Sequence, residues 1–274
     1  RETQHKLFVP KQFGLAHFGY KSPPATHQRP PLSLAQAVVH SNPLVFGGTL
    51  RPEQLPAMDS SFEALNANKE RYSANVGGGG LFELPCGFGK TDTGLFVLSK
   101  IRERLLNEFN CQLPAPSPGA VPKLATLVVV HKDFLADQWI DRIHQYFPNA
   151  RIGRIQESTV DVENKDIVIG MIQSLSSKTY PPSTFDSIGM LIVDEVHRSS
   201  SKMFSNVFFK VAPKYTLGLS ATMERKDGTS YMFKHFLGEI VYSAKRASTH
   251  DVTVRVIKYE TDDDDFNQTL VDKR

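Results

Sequence analysis

One short glycine-bearing loop, Leu84-Pro85-Cys86-Gly87-Phe88-Gly89-Lys90-Thr91, lies between an apolar run and a helical pattern, and that setting narrows the folds open to this chain. Leu81 to Leu84 reads as a short strand, and Leu95, Leu98, Ile101 and Leu105 recur at helical spacing after the loop. Gly87 and Gly89 reach backbone angles closed to other residues, so successive N–H groups can turn inward around a polyphosphate at the start of a helix. Lys90 would bring a point charge to the β and γ phosphates, and the Thr91 hydroxyl would be a Mg2+ ligand. The spacing GxxxxGK[ST] asks for glycine at position 84, where this chain has Leu84. An ordinary strand-turn-helix connection is the plainer alternative.

The 274 residues suffice for one large domain with extensions, or for two small ones. Lys and Arg outnumber Asp and Glu by 32 to 29, and the net charge of +3 permits nucleic acid as a partner without demanding it. Two cysteines, Cys86 and Cys111, are too few for a disulfide framework, so an intracellular, reducing compartment is expected, with nucleus, cytoplasm and virion not distinguished. The sequence has no apolar run of membrane-spanning length and no signal-peptide pattern, so no membrane partner is expected. A start at Arg1 suggests a processed or excised piece of a longer protein.

Residues 1–48, rich in Pro, His and aromatics, read as an ordered extension with a short helix at Leu34 to Val39. Helical spacing runs from Arg51 to about Lys69, and Arg71 to Gly80 ends in four glycines, read as a flexible loop. Asn107 to Lys123 carries four prolines and reads as a surface insertion. Apolar strands are then expected at Leu124 to Val130, Arg151 to Ile155, Asp166 to Gly170, Gly189 to Val193 and Tyr215 to Leu219, with helices marked by Phe134 to Phe147 and Met203 to Val211. The alternation implies an α/β fold, a mostly parallel sheet with helices on both faces. Ligands in such sheets sit beyond the carboxyl ends of the strands.

The strand Gly189 to Val193 runs straight into Asp194-Glu195-Val196-His197. Asp194 would hold the Mg2+ of a nucleotide through water, and Glu195 would orient and deprotonate a water for in-line phosphoryl transfer. The plainer reading makes both acids the start of the following helix, which does not exclude metal binding. A third strand, Leu217-Gly218-Leu219, ends in Ser220-Ala221-Thr222, hydroxyl residues able to hydrogen-bond to the acidic segment.

In this order these three segments resemble motifs I, II and III of superfamily 2 helicases with a DExH box, in the first of two RecA-like domains. Leu50-Arg51-Pro52-Glu53-Gln54 resembles the adenine-side element, VVHKDFLADQW from Val129 to Trp139 motif Ia, and Ile169 to Leu175 motif Ib. SATMERKDG from Ser220 to Gly228 is similar to a stretch of the branch containing the XPB helicase. Leu7-Phe8-Val9-Pro10-Lys11 to Phe18-Gly19, with the wording GRIQ and DIVIGMIQS, is most similar to helicases of large eukaryotic DNA viruses in that branch. The family commonly lacks the leading glycine, which accounts for Leu84; Met223 stands where proline is usual, and Arg198 follows the box.

The resemblance implies a RecA-like P-loop domain over residues 49–246 and a linker over 247–274 leading to a second RecA-like domain. It implies catalytic roles for Lys90, Asp194 and Glu195, and a nucleotide cradle of Pro85, Cys86, Gly87, Phe88, Gly89, Lys90 and Thr91, with ATP and Mg2+ as cofactors. Thr91 and Asp194 would serve the metal. Gln54 would read the adenine edge with Arg51 over the ring, or would be a solvated helix-start residue. His197 would couple nucleotide state to Ser220 and Thr222, or be a purely structural buried histidine. Lys132, Gln173, Ser174 and Lys178 would touch the phosphates of a nucleic-acid strand, DNA in preference to RNA, or be solvated loop residues. The acidic run Asp262 to Asp265 reads as solvated linker. After Arg246 there is no Gln-x-x-Gly-Arg-x-x-Arg pattern, so the arginines that this family's second domain supplies are expected from elsewhere. A nucleic-acid-binding or scaffold module that keeps the fold without unwinding is the competing reading; a small kinase would not need Asp-Glu-Val-His or Ser-Ala-Thr.

Overall fold

A computed structural model describes residues 2–3, 6–7, 9–18, 43–71, 77–110, 123–198, 201–223, 228 and 230–244. Outside the described residues lie the helix expected at 34–39, Cys111 and most of the proline-rich insertion, residues 224–227 of the SATMERKDG stretch, the 247–274 linker and its acidic run.

After an N-terminal two-strand hairpin, Glu2–Thr3 with Lys6–Leu7, the elements run α1 (Lys11–Phe18), α2 (Leu55–Arg71), β1 (Gly79–Glu83), α3 (Lys90–Asn110), β2 (Ala125–Val130), α4 (Asp133–Tyr146), β3 (Ile152–Gln156) and β4 (Thr159–Val160). They continue with β5 (Ile167–Met171), α5 (Ile172–Ser177), β6 (Ile188–Asp194), α6 (Ser201–Phe208), β7 (Tyr215–Ser220), α7 (Tyr231–Leu237) and β8 (Ile240–Ser243). The sheet order is β8-β1-β7-β6-β2-β5-β3-β4, parallel throughout except for the antiparallel β3–β4 hairpin at the edge. The expected mostly parallel, helix-covered sheet is therefore observed.

The apolar runs are continuous because both faces of the central strands are buried. Val128 and Val130 of β2 pack with Leu95, Leu98, Ile101, Trp139 and Ile143 on the α3–α4 side. Leu127 and Val129, one residue out of step, pack with Leu175, Phe204 and Val207 on the α5–α6 side. At the amino end of the strands, Asp166 is fully buried and binds Arg102 Nη2 and Arg151 Nε, each at 3.0 Å, while Arg102 Nη1 reaches Leu124 O at 2.6 Å. These bonds lock α3 to β2 and β5 at the end away from the glycine loop.

Two sequence expectations shift. The four-glycine run is not all loop: Gly79 and Gly80 begin β1, because a Cβ at Gly79 would lie 1.9 Å from Thr216 Oγ1 and 2.2 Å from Leu237 O. The packed body also begins before residue 49, since Leu44 is buried and Phe46 packs edge-on to Phe96 at 5.5 Å.

Candidate active site

The glycine loop leaves the end of β1 and enters α3. Gly87 and Gly89 have φ of +83° and +84°, the left-handed region that favours glycine. A Cβ at Gly87 would meet nothing within 4 Å, so that face of the loop is open; at Gly89 it would lie 2.6 Å from Gln54 Nε2, so the other face is closed. Leu84 is fully buried in the core and its N–H donates to Ser220 O at 2.7 Å, which is why an apolar residue serves where a glycine is common. The Cys86 thiol is free and exposed on the loop, with Pro85 and Phe88 joined by an N–H···O bond of 3.2 Å.

Gln54 and Arg51 close the back of this loop. Gln54 is buried, not solvated: its Nε2 donates to Phe88 O at 3.0 Å and to Thr93 Oγ1 at 3.2 Å, and its Oε1 accepts the Arg51 N–H at 2.8 Å. The Arg51 guanidinium donates to Gly87 O at 3.0 Å and to Phe88 O. The buried amide thus fixes the loop carbonyls outward and leaves its N–H groups for the cavity side.

The strand β6 carries Asp194 and Glu195 to the same end of the sheet, one strand beyond β7 and two from β1. Lys90 Nζ lies 3.3 Å from Glu195 Oε1. Asp194 is 6% exposed; its Oδ2 accepts from Trp139 Nε1 and its Oδ1 from the Glu195 N–H, both at 2.9 Å. Burial pushes the Asp194 carboxyl above the usual aspartate range, against the Trp139 bond, which favours the charged form. Glu195 has φ of +48°, and its buried Oε2 has no hydrogen-bond donor, although His197 Nδ1 is 3.3 Å away.

His197 Nδ1 and Ser220 Oγ are 2.6 Å apart, and Ser220 Oγ donates to Thr222 O at 2.6 Å. A hydroxyl has one proton to give, so with that proton on Thr222 O the His197 Nδ1–H is the donor to Ser220. The three strand ends are further joined by Glu83, which accepts from the Met223 N–H at 3.0 Å and from Ser243 Oγ at 2.7 Å. Met223 is therefore well placed in its turn, and it provides an N–H that proline would lack.

The residues fit a Mg-nucleotide. The open loop face, the half-buried Thr91 beside it and the buried Asp194 supply oxygen ligands and room for phosphate. Among the described residues no group of three or more His, Cys, Asp or Glu forms a metal cage.

The four residues expected to touch a nucleic-acid strand line or flank one open groove of about 450 Å³, but three are engaged internally. Gln173 Nε2 donates to His131 O at 2.9 Å, Ser174 is buried with its Oγ accepting the Glu157 N–H at 2.8 Å, and Lys178 Nζ donates to Glu157 O. The expectation that each reaches solvent phosphate is corrected for Ser174, whose side chain holds the β3–β4 turn. Only Lys132 of the four has no side-chain hydrogen bond or ion pair among the described residues; its Nζ sits 5.6 Å from the Phe134 ring centroid.

A family model described as "Type III restriction enzyme, res subunit" matches residues 48–225, more than half of the chain. The chain belongs to this helicase family. Within the family, 218 residues are 32% identical to "Putative ATP-dependent RNA helicase L396" of Acanthamoeba polyphaga mimivirus, covering 80% of this chain and 36% of that protein. A "DNA 3'-5' translocase XPB2" of Sulfurisphaera tokodaii is 32% identical over 167 residues, 60% of this chain and 31% of its own length. The chain thus spans about a third of these relatives' lengths. The UvsW helicase of bacteriophage T4 shares the fold, with a TM-score of 0.51 at 21% identity over 84% of this chain and 78% of that one. The mostly parallel sheet of this chain is thus the core fold found in this family's structural neighbours.

Sequence reasoning missed two contributors to the site. Trp139, the chain's single tryptophan, reads as a core helix position, and an indole N–H aimed at a strand-end aspartate needs the three-dimensional fold to be seen. Glu83 sits at the end of an apolar strand immediately before the loop, which was the available signal for a functional carboxylate.

Proposed function

We propose that this chain is the first motor domain of an ATP-dependent DNA helicase or translocase, in which Mg-ATP hydrolysis drives movement along a nucleic-acid strand. The observation that carries the reading is the contact of Lys90 with Glu195, beside Asp194 and the His197–Ser220 bond. The ammonium for phosphate, the metal carboxylate and the base for water lie within one strand-end cluster. Thr91 and Asp194 are the residues that would hold Mg2+, which would supply positive charge against the charge developing on phosphate.

The Gly87–Gly89 loop would donate its N–H groups to phosphate. On nucleotide entry Lys90 would exchange Glu195 for phosphate, freeing the carboxylate to take a proton from water. His197 would report that exchange to Ser220 and Thr222 through its Nδ1–H. The reading gives the adenine to Arg51 and Gln54, which would have to exchange their present bonds to the loop for bonds to the base. The nucleic-acid strand would cross the groove at Lys132, Gln173 and Lys178, and a second RecA-like domain of the full-length protein would face the site.

DNA as the track is supported by the likeness to a named DNA translocase, and RNA by the likeness to a protein named as an RNA helicase. ATPase rates of the full-length protein with single-stranded DNA and with RNA separate the two. Glu195→Gln is expected to lower turnover by about a thousandfold while ATP still binds. Retained hydrolysis in that variant would remove the role given to Glu195.

A further inference from the structure

We propose that Phe134, beside Lys132, is a stacking platform for one unpaired base, so that the groove takes single-stranded rather than duplex nucleic acid. The inference rests on the nucleic-acid reading above and adds the form of the strand. Helix α4 directs Ala136, Trp139 and Ile143 into the core, whereas Phe134 in its first turn is off that stripe and 55% exposed. The core does not use this ring. Lys132 Nζ lies 5.6 Å from its centroid, a cation–π distance that holds a positive charge beside an open aromatic surface.

Of the acids nearby, Asp133 and Asp137 share one guanidinium, and Glu157, which lines the groove, is in no ion pair among the described residues. Arg154 lies 3.6 Å from Asp133 Oδ1 and 3.4 Å from Asp137 Oδ1, and Gln156 Nε2 donates to Asp133 at 2.7 Å. Lys132 is in no ion pair among the described residues, so its charge remains for a phosphate. The adjoining groove of about 450 Å³ is lined by His131, Gln156, Glu157, Gln173 and Ser174 and is polar, which suits a sugar-phosphate chain better than an apolar protein segment. Its walls are fixed before any ligand arrives, by the Gln173–His131 and Ser174–Glu157 bonds. A base within a duplex has both faces covered and its edge paired; only an unpaired base can offer a face to the ring.

The test uses the full-length protein and fluorescence anisotropy with a labelled single-stranded oligonucleotide and the matching duplex, over a range of salt. Phe134→Leu is expected to weaken single-strand binding roughly 5- to 100-fold without changing the salt slope, and to leave duplex binding as it was. Phe134→Tyr should restore affinity. Lys132→Gln should instead reduce the salt slope by about one. In the wild-type protein, one abasic position along the strand should reproduce the loss, and it should add nothing in Phe134→Leu.

Equal binding by wild type and Phe134→Leu, or an equal loss on single strand and duplex, would overturn the platform and leave the motor reading standing. A wild-type protein that binds neither form would overturn both. If Phe134→Leu bound nucleic acid normally but lost a protein partner, the ring would be a protein-docking residue and the proposal would fall.

Discussion

The ion pair of Lys90 with Glu195 holds the nucleotide site closed on itself, so phosphate must compete with a carboxylate for the same ammonium. Glu195 is also held with φ of +48°, a conformation that costs on the order of 1 kcal/mol or more for a residue with a Cβ. Asp194 adds a second cost, because a buried carboxyl pushed upward binds protons more tightly folded than unfolded. Its contribution to stability is therefore lost as pH rises through that range, and Asp194→Asn is expected to raise the thermal midpoint at neutral pH while abolishing Mg2+-dependent turnover. Trp139→Phe removes the bond that favours the charged Asp194, so the acid limb of ATPase activity should move to higher pH. An unmoved acid limb would show that this bond does not set the ionisation of Asp194.

Among the elements, α5 packs on α6 through Leu175, Phe204 and Val207 and is tied further by one side chain just beyond α6. Lys210 Nζ donates to Leu175 O, Ser176 O and Lys178 O at 2.7, 2.9 and 2.6 Å, so a single ammonium caps the carboxyl end of α5. The helix α6 follows the Asp-Glu-Val-His segment and α5 walls the groove, which makes Lys210 a mechanical link between them. Lys210→Met should destabilise the fold by about 2 kcal/mol in urea unfolding, because three carbonyls lose a charged donor. The link was illegible in the sequence, where Lys210 is one lysine among many beyond a helix pattern. The strands and the glycine loop were legible because continuous apolar runs and fixed glycine spacing are local properties. The bonds of Gln54, Trp139 and Ser174 could not be read from the sequence because the polar atoms they bond to lie between 17 and 55 positions away in the chain. Spacing rules describe one element at a time, and these bonds join several.

At the scale of the molecule, the two ends of the sheet do different work. The carboxyl end gathers Lys90, Asp194, Glu195 and His197, while the amino end is bolted by Asp166 between two arginines. Asp166→Ala would leave Arg102 buried without its counter-charge and should cost about 3–5 kcal/mol, with nucleotide affinity at low temperature unchanged if the ends are independent. Turnover is a property of a larger assembly in the proposed reading. The 274-residue chain by itself is expected to hydrolyse ATP orders of magnitude more slowly than the full-length protein, since arginines supplied across a domain interface contribute about 10³–10⁵ in related chemistry. Comparable rates for the two would refute that dependence. The bond from Met223 to Glu83 bears on how this protein should be engineered. Replacing an unusual residue by its family's commoner one is a standard route to a hardier protein. At position 223 that route runs backwards: Met223→Pro would delete the donor that ties the end of β7 to β1, and through Ser243 to β8. A stabilisation campaign guided by family averages should leave this methionine alone.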